Sequence, residues 1–183
     1  CTILNVEPGM RVLDLCAAPG GKTGILADIM KNTGEIVAID KYESRQKILN
    51  RNLERLGVTN YTPIVADAME YQAEPFDRIL IDAPCSGLGV LRRNPDSKWK
   101  LEPEFIDRIR KTQQDVLQQY SKMVKPQGKM VYATCSVLPS ENEAQIKTFL
   151  ESESGKDFTF VKEKKILAHE TGFDGFYMAL LEK

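Results

Sequence analysis

Short apolar segments alternate with longer amphipathic segments along the whole chain. The apolar segments predict strands over residues 11–15, 35–40, 61–66, 76–81, 129–133, 158–164 and 176–181. The amphipathic segments predict helices that reach about residue 31 and that cover about 42–56, 103–124 and 140–151. Strands that alternate with helices are typical of a mostly parallel sheet with right-handed crossovers. We therefore predict one Rossmann-like α/β domain over residues 1–183, with a seven-stranded sheet and helices on both of its faces.

Several boundaries of these segments carry residues that commonly begin or end helices and strands. Gly57 follows the second helix, as expected at a helix C-terminus. Pro103 stands in the first turn of the third helix, and Pro126-Gln-Gly predicts a turn before the fifth strand. Ser140, with Glu143 three residues later, matches the capping box that begins a helix.

The composition is that of an ordinary globular domain, with 42% hydrophobic and 28% charged residues. No apolar run approaches the ~18 residues that span a bilayer, so we expect a cytoplasmic, monomeric protein without a membrane partner. The net charge of −1 gives the domain as a whole no electrostatic footprint for nucleic acid. Residues 92–100 differ, because they carry four positive charges against one negative charge. The chain begins at Cys1 within an apolar segment, so we expect further chain upstream.

The four cysteines are distributed in a way that indicates chemistry at strand ends. No C-x-x-C pair occurs, which predicts no metal site, and a domain of this size needs no disulfide framework. Cys85 follows the fourth predicted strand and Cys135 follows the fifth. In a parallel α/β sheet, ligands bind beyond the carboxyl ends of the strands. One thiol there would more often be a buried filler, but two of them indicate covalent chemistry.

The turn at residues 14–24, between the first strand and the first helix, contains glycines that suit a nucleotide-like cofactor. A dinucleotide would need G-x-G-x-x-G, which is absent. A P-loop would need a glycine five residues before Gly21, where Cys16 stands instead. Because Gly21-Lys22-Thr23 otherwise fits, a P-loop-like nucleotide hydrolase remains an alternative. S-adenosylmethionine is the third class, and it carries no phosphates.

Three successive predicted strands end in or next to an aspartate: Asp40, Asp67 and Asp82. Asp40 stands 20 residues after Gly20, the spacing expected for a carboxylate that binds ribose hydroxyls. Asp67 is positioned to accept a hydrogen bond from an adenine amino group. Each aspartate alone would more often be a helix N-cap or a turn residue. The series as a whole favours the S-adenosylmethionine interpretation.

Six segments are distinctive: Asp14-Leu-Cys-Ala-Ala-Pro-Gly-Gly-Lys-Thr23, Asp82-Ala-Pro-Cys-Ser-Gly87, Arg92-Arg-Asn-Pro-Asp96, Trp99, Tyr132-Ala-Thr-Cys-Ser136 and Asp174-Gly-Phe-Tyr177. Together they resemble the Sun-type RNA cytosine-5 methyltransferases, apart from Asn94, where a histidine is frequent. The resemblance implies the Rossmann-like fold of S-adenosylmethionine-dependent methyltransferases and methyl transfer to carbon 5 of an RNA cytosine. It favours small-subunit ribosomal RNA over transfer RNA, and it implies an RNA-recruiting region upstream. A nucleic-acid-binding module without activity is disfavoured, because the residues that the chemistry requires are present.

The resemblance also implies roles for individual residues. Cys135 resembles the nucleophile that adds to carbon 6, and Cys85 the thiol that helps to release the product. Asp82 would contact the ring nitrogen and the exocyclic amine and stabilise the charge that develops there. Cys85 stays open as an alternative nucleophile, because DNA cytosine methyltransferases use a Pro-Cys at the fourth strand. Trp99 would either stack on a base or fill a hydrophobic gap under its loop, and His169 would be a surface residue.

These considerations give two sets of expected binding residues. We expect the cofactor to be bound by Cys16, Ala17, Ala18, Pro19, Gly20, Gly21, Lys22, Asp40, Arg45, Asp67 and Asp82. We expect RNA to be bound by Arg92, Arg93, Lys98 and Trp99, with Lys100 as a further phosphate contact.

Overall fold

The computed structural model of the chain describes the backbone of residues 1–183 and every side chain except that of Lys100. The strands are β1 (Arg11–Leu15), β2 (Glu35–Asp40), β3 (Tyr61–Val65), β4 (Phe76–Asp82), β5 (Val124–Thr134), β6 (Thr159–Ile166) and β7 (Phe176–Glu182). The helices are α1 (Gly21–Ile29), α2 (Glu43–Arg55), α3 (Ser97–Lys100), α4 (Pro103–Ser121), α5 (Glu143–Leu150) and α6 (Ala168–Thr171). Short 3-10 turns lie at Thr2–Leu4, Leu88–Val90 and Pro139–Glu141.

The strands form one sheet in the order β3–β2–β1–β4–β5–β7–β6. The first five strands of the chain pair in parallel, and β7 is antiparallel to both β5 and β6. The prediction of a mostly parallel, seven-stranded sheet is therefore confirmed. The order of the strands reverses between β1 and β4, and ligands bind at such a switch point in open α/β sheets.

Helices cover both faces of the sheet, as predicted. On one face, Ile79 and Ile81 of β4 pack in a buried cluster with Leu117 of α4. On the other face, Leu80 packs in a second cluster with Leu26 of α1. Neighbouring residues of a strand point to opposite faces, so a strand between two layers of helices must be apolar at every position. This is why β4 has a continuous hydrophobic run rather than an alternating one.

The predicted capping box at Ser140 and Glu143 is wrong. Ser140 lies in the 3-10 turn Pro139–Glu141, and α5 begins only at Glu143, without a side chain that caps it. Glu143 instead forms an ion pair with Lys165 of β6. The 3-10 turn directs Glu141 into the protein, where it is fully buried.

The predicted turn at Pro126-Gln-Gly is also wrong, because these residues lie within β5. Gln127 has a φ of 62°, which makes a local irregularity rather than a chain reversal. Its backbone N–H donates to the carbonyl of Lys183, at 2.7 Å. The segment interrupts the pairing within β5, because Phe76 pairs with Val124 whereas Arg78, two residues further along β4, pairs with Lys129, five residues further along β5.

No helix in the part of the chain that the structure describes is long and apolar enough to cross a membrane. Among the same residues, no three or more His, Cys, Asp or Glu side chains form a group that could hold a metal ion. All four cysteines are free thiols, and each is partly buried.

Candidate active site

Cys85 and Cys135 lie side by side just beyond the carboxyl ends of β4 and β5. Asp82, the last residue of β4, pairs with Ala133 of β5, so the two chains leave the sheet at nearly the same level. The two Sγ atoms are 3.3 Å apart, which is within hydrogen-bonding distance for sulfur. The two thiols that the sequence places at separate strand ends thus form one site.

The hydrogen bond between the two thiols makes them unequal. An S–H group that donates to a sulfur favours the thiolate form of the acceptor. The hydrogen bond from Cys85 lowers the pKa of Cys135, although burial and the nearby Asp82 oppose this change. The same hydrogen bond, together with burial, raises the pKa of Cys85. Cys135 is therefore the thiol that ionises more readily, and the thiolate is the reactive form of cysteine.

Lys22, in the first turn of α1, forms an ion pair with Asp82. Its Nζ lies 2.6 Å from Oδ2 of Asp82, and both side chains are about one-third exposed. Burial acts to lower the pKa of Lys22, but the Asp82 carboxylate outweighs burial, so the pKa is raised. Lys22 therefore stays protonated and keeps a positive charge at the end of β4.

In the turn between β1 and α1, the side chains that a P-loop would use to bind phosphate and its metal ion contact aspartates instead. The hydroxyl of Thr23 donates to Oδ2 of the buried Asp14, at 2.6 Å, and Lys22 pairs with Asp82. In a P-loop, the equivalent hydroxyl binds Mg²⁺ and the equivalent lysine reaches the phosphates. Cys16, which replaces the first P-loop glycine, has a left-handed backbone with a φ of 60°. These contacts disfavour the P-loop interpretation.

A cavity of about 280 Å³ lies beyond the ends of β1, β2 and β3. Four of the predicted cofactor residues line it: Cys16, Asp40, Arg45 and Asp67. The predicted residues Ala17, Ala18, Pro19, Gly20, Gly21, Lys22 and Asp82 are not part of its lining. Most of the remaining wall is apolar and consists of Leu15, Ile39, Ala66, Ala68, Met69, Pro84 and Val116. The cavity thus combines an apolar wall with carboxylates, as a nucleoside requires.

Asp40 is the buried carboxylate of this cavity. It accepts hydrogen bonds from the backbone N–H groups of Ala18 and Tyr42, each at 3.3 Å, and pairs with Arg45, also at 3.3 Å. Arg45 in turn donates to the carbonyl of Ala18, at 2.9 Å. The glycine-containing turn is thereby fixed against the end of β2, which explains how residues outside the cavity still shape it.

Asp67 is held differently from Asp40. It lies two residues beyond β3 and forms an ion pair with Lys41, at 2.7 Å. The hydrogen bond from Lys41 lowers the pKa of Asp67. Because Asp67 is only partly covered, a ligand can reach its carboxylate from the cavity.

The positively charged residues 92–100, which we call the basic segment, follow a stretch of chain that is bound to the thiol site through its backbone. The N–H of Gly89 donates to the carbonyl of Cys135, at 2.8 Å, and the N–H of Gly175 donates to the carbonyl of Gly89, at 2.7 Å. A Cβ atom at position 89 would approach the Gly175 carbonyl oxygen to 2.2 Å, so only glycine fits there. Gly89 and Gly175 therefore lie next to the Cys135 segment, and the basic segment begins three residues after Gly89.

The side chains of this segment are arranged at the surface. Trp99 is 80% exposed, so of the two alternatives for it, the one in which it fills a gap under the loop is wrong. The Nζ of Lys98 lies 4.8 Å from the centre of the indole ring of Trp99. Arg92 donates to the carbonyl of Gly172, at 3.2 Å, and Arg93 pairs with Asp174, at 2.6 Å. The predicted contact of Lys100 lies outside the side chains that the structure describes.

The chain matches the family described as "16S rRNA methyltransferase RsmB/F" over residues 1–182. The chain belongs to this family. The ribosomal RNA small subunit methyltransferase B of Vibrio cholerae is 44% identical over 193 residues, and the probable one of Bacillus subtilis is 35% identical over 199 residues. The alignments cover 100% and 98% of this chain but only 43% and 44% of these relatives. The chain thus spans less than half the length of the curated relatives that it matches.

Solved structures agree with this membership. NSun6 from Pyrococcus horikoshii, crystallised with SFG, is 29% identical with a TM-score of 0.89, over 100% of this chain and 50% of that one. A methyltransferase homolog protein from Pyrococcus horikoshii is 30% identical with a TM-score of 0.83, over 99% of this chain and 64% of that one. The resemblance to Sun-type enzymes and the Rossmann-like methyltransferase fold are both confirmed.

Several side chains near the site carry no clear signal in the sequence. Tyr42 and Thr112 line the cavity, and Thr112 comes from α4, which only the fold brings there. Phe173 is 75% exposed on the loop beside the basic segment. Of these three residues, only Tyr42 could have been suggested from the sequence, because it follows the predicted ribose-binding Asp40 by two residues. His169, by contrast, is an exposed residue, as predicted.

The unequal thiols give a prediction about reactivity. Cys85→Ala removes the hydrogen bond that lowers the pKa of Cys135, so less Cys135 thiolate is present at neutral pH and alkylation slows. The measurement is the rate of iodoacetamide alkylation against pH, followed at Cys135 in the tryptic peptide 130–147. Cys85→Ser keeps a hydrogen-bond donor and is the matched control. A Cys85→Ala midpoint at or below the wild-type pH contradicts the assignment.

Proposed function

We propose that this chain transfers a methyl group from S-adenosylmethionine to carbon 5 of a cytosine in small-subunit ribosomal RNA. The thiol pair carries the proposal, because its two Sγ atoms lie 3.3 Å apart at adjacent strand ends. The relatives are named as ribosomal RNA small subunit methyltransferases, which favours ribosomal RNA over transfer RNA. The chain covers less than half the length of those relatives. What a protein of their full length does is therefore part of the proposal.

The chemistry requires a thiolate. Carbon 5 of cytosine is a poor nucleophile, but addition of a thiolate at carbon 6 makes the ring enamine-like, so that carbon 5 can attack a methyl donor. Cys135 takes this role, since the hydrogen bond from Cys85 lowers its pKa. The lowered pKa of Cys135 and the raised pKa of Cys85 favour Cys135 as the attacking group.

A second thiol is needed to complete the turnover. After methyl transfer, the hydrogen on carbon 5 leaves as a proton and the bond between carbon 6 and sulfur breaks. Carbon 5 is bonded to carbon 6, and Cys85 Sγ lies 3.3 Å from the attacking sulfur. Once Cys135 is bonded to carbon, the contact that raises the pKa of Cys85 is lost. Cys85 can then release its own proton to water and, as a thiolate, accept the proton from carbon 5.

Asp82 and Lys22 act on the cytosine ring. Lys22 contacts Oδ2 of Asp82, which leaves the other carboxylate oxygen to accept a hydrogen bond from the exocyclic amine. The protonated Lys22 puts a positive charge beside the ring, where negative charge develops when the thiolate adds. The pair therefore both orients the base and stabilises the adduct.

The residues of the cavity fit S-adenosylmethionine. The buried Asp40 carboxylate suits the ribose hydroxyls, and the apolar wall suits adenine. SFG, which the NSun6 structure contains, is an analogue of this cofactor. When bound, S-adenosylmethionine supplies a methyl group on a positively charged sulfur.

The basic segment is the proposed contact for RNA. Arg92 and Arg93 contact Gly172 and Asp174, in the loop whose Gly175 is linked through Gly89 to Cys135. Together with Lys98 they provide positive charge at which phosphates would approach. Trp99 presents an exposed indole face on which a base beside the target cytosine can stack. The target base would then be turned out of its stack toward the cysteines.

Trapping on RNA that contains 5-fluorocytosine tests the roles of the cysteines. The hydrogen on carbon 5 leaves as a proton, but fluorine in its place cannot leave as a positive ion. The adduct therefore persists and is seen as a shifted band on a denaturing gel. We expect the adduct with wild type and Cys85→Ala, and none with Cys135→Ala. Cys1→Ala, which removes a thiol outside the pair, is the matched control. An adduct with Cys135→Ala and none with Cys85→Ala would reverse the two roles.

Loss of the exposed indole tests the RNA surface. Trp99→Ala is expected to weaken binding of a small-subunit ribosomal RNA fragment by ~1–3 kcal/mol, the usual contribution of one base stacked on an aromatic ring. Fluorescence anisotropy titration measures the affinity. Phe160→Ala, which removes an exposed aromatic ring from the edge strand β6, is the control and should leave the affinity unchanged. Equal affinities of Trp99→Ala and wild type would exclude Trp99 from the RNA surface.

A further inference from the structure

One buried carboxylate contacts both segments that carry the cysteines. Glu141 accepts a hydrogen bond from the backbone N–H of Ser86, at 2.8 Å, and another from the hydroxyl of Ser136, at 2.7 Å. These serines directly follow Cys85 and Cys135 in the chain. The two serine hydroxyls also contact each other, at 3.2 Å. The segments are thus linked through Glu141 on one side and through the thiols on the other.

The surroundings of Glu141 fix its position. Gln113 of α4 donates to the same carboxylate oxygen as Ser86, at 3.0 Å, and to the carbonyl of Pro84, at 2.9 Å. The hydroxyl of Tyr132 donates to the backbone carbonyl of Glu141, at 2.7 Å. The carboxylate of Glu141 is therefore held from α4 as well as from the two cysteine segments, and its backbone is held from β5.

The next residue, Asn142, reinforces the same link. Its side chain accepts a hydrogen bond from the hydroxyl of Thr134, at 2.6 Å, and donates to the carbonyl of Ser136, at 3.0 Å. Both partners flank Cys135 in the chain. The backbone around Cys135 is thereby held on each side of the thiol.

Glu141 is fully buried, and it does not line the cofactor cavity. A buried carboxylate is costly unless hydrogen bonds satisfy it. Here its side chain receives three, and two of them come from the segments after Cys85 and Cys135. The arrangement resembles a second layer of contacts that orients reactive groups without touching the substrate.

We propose that Glu141 is a positioning residue that holds Cys85 and Cys135 in contact by binding the residue that follows each of them. The catalytic meaning of this contact rests on the proposed function, but the contact itself does not. Without Glu141, the two segments lose their common partner, and beyond the sheet the contact between the Ser86 and Ser136 hydroxyls holds them less firmly. Thiols that meet less often exchange a proton, or form a bond, more slowly.

Formation of a disulfide by diamide measures this proximity without any RNA. The two thiols lose two hydrogen atoms and form one S–S bond, while the N=N bond of diamide takes up both hydrogens and becomes a hydrazine. The product is quantified by mass spectrometry as a linked pair of tryptic peptides, 79–92 and 130–147. This readout separates the Cys85–Cys135 pair from the other cysteines.

The variants are compared at a temperature at which circular dichroism shows each one to be folded. Glu141→Ala removes both links, and we expect disulfide formation to slow by about tenfold or more. Glu141→Asp keeps the charge but is one methylene too short to reach both segments, so it should also be slow, and it serves if Glu141→Ala does not fold. Glu141→Gln keeps an oxygen for the Ser86 N–H and offers an amide N–H to the Ser136 hydroxyl. It should restore most of the wild-type rate.

Two controls separate positioning from loss of stability. Glu143→Gln changes the same residue type two positions along the chain, where the partner is Lys165, and should leave the rate unchanged. Ile146→Ala removes a buried side chain of α5 and lowers stability without touching the cysteine segments. Calorimetry with S-adenosylmethionine should give the same affinity for the Glu141 variants as for wild type.

A wild-type rate in both Glu141→Ala and Glu141→Asp would overturn the proposal, as would an equal slowing in Ile146→Ala. Failure of the proposed function would look different. In that case, wild type would form no adduct with 5-fluorocytosine RNA, while the Glu141 variants would still slow disulfide formation.

Discussion

The parallel pairing of β4 with β5 is the constraint on which the site depends. Asp82 lies opposite Ala133 in this pair, so two segments that are about fifty residues apart in the chain leave the sheet together. The buried strand β4 fixes this register, because a shift by one residue would move Ile79, Leu80 and Ile81 each into the cluster on the opposite face of the sheet. Two thiols that are separate in sequence thereby meet at 3.3 Å. The ion pair of Lys22 with Asp82 and the cavity at Asp40 lie at the same edge of the sheet.

The reactive centre combines two kinds of electrostatic contact. Donation from Cys85 favours the thiolate of Cys135, while the negative charges of Asp82 and Glu141 oppose it. The contact between the two sulfur atoms is therefore the largest influence on the pKa of Cys135. This balance explains why the backbone on each side of both cysteines is held by buried hydrogen bonds rather than left as a mobile loop.

The sequence contains enough information to predict the architecture and the edge of the sheet at which the proposed reactive groups lie. Continuous apolar runs mark strands buried on both faces, and residues at their ends must share one edge of the sheet, so the placement of Cys85, Cys135 and Asp40 can be predicted in advance. The capping box at Ser140 fails for a physical reason. A local pattern favours a helix start there, but Glu141 is fixed by hydrogen bonds from segments far away in the chain. Such long-range contacts have no local pattern.

The exposed state of Trp99 could not be predicted for a related reason. An aromatic residue in a charged loop is compatible with burial and with exposure, and only the path of the chain decides between them. Here the backbone contacts of Gly89 with Cys135 and Gly175 fix the chain just before the basic segment, and Trp99, ten residues further on, lies in solvent. Thr112 likewise reaches the cavity only because α4 packs on that face of the sheet.

The central claim is that methylation proceeds at carbon 5 through attack at carbon 6. It is tested most directly with substrate RNA that carries tritium on carbon 5 of its cytosines. The account predicts that one tritium is released into water for each methyl group incorporated, and that Cys135→Ala abolishes both. Incorporation of methyl groups while the tritium stays in the RNA would contradict it.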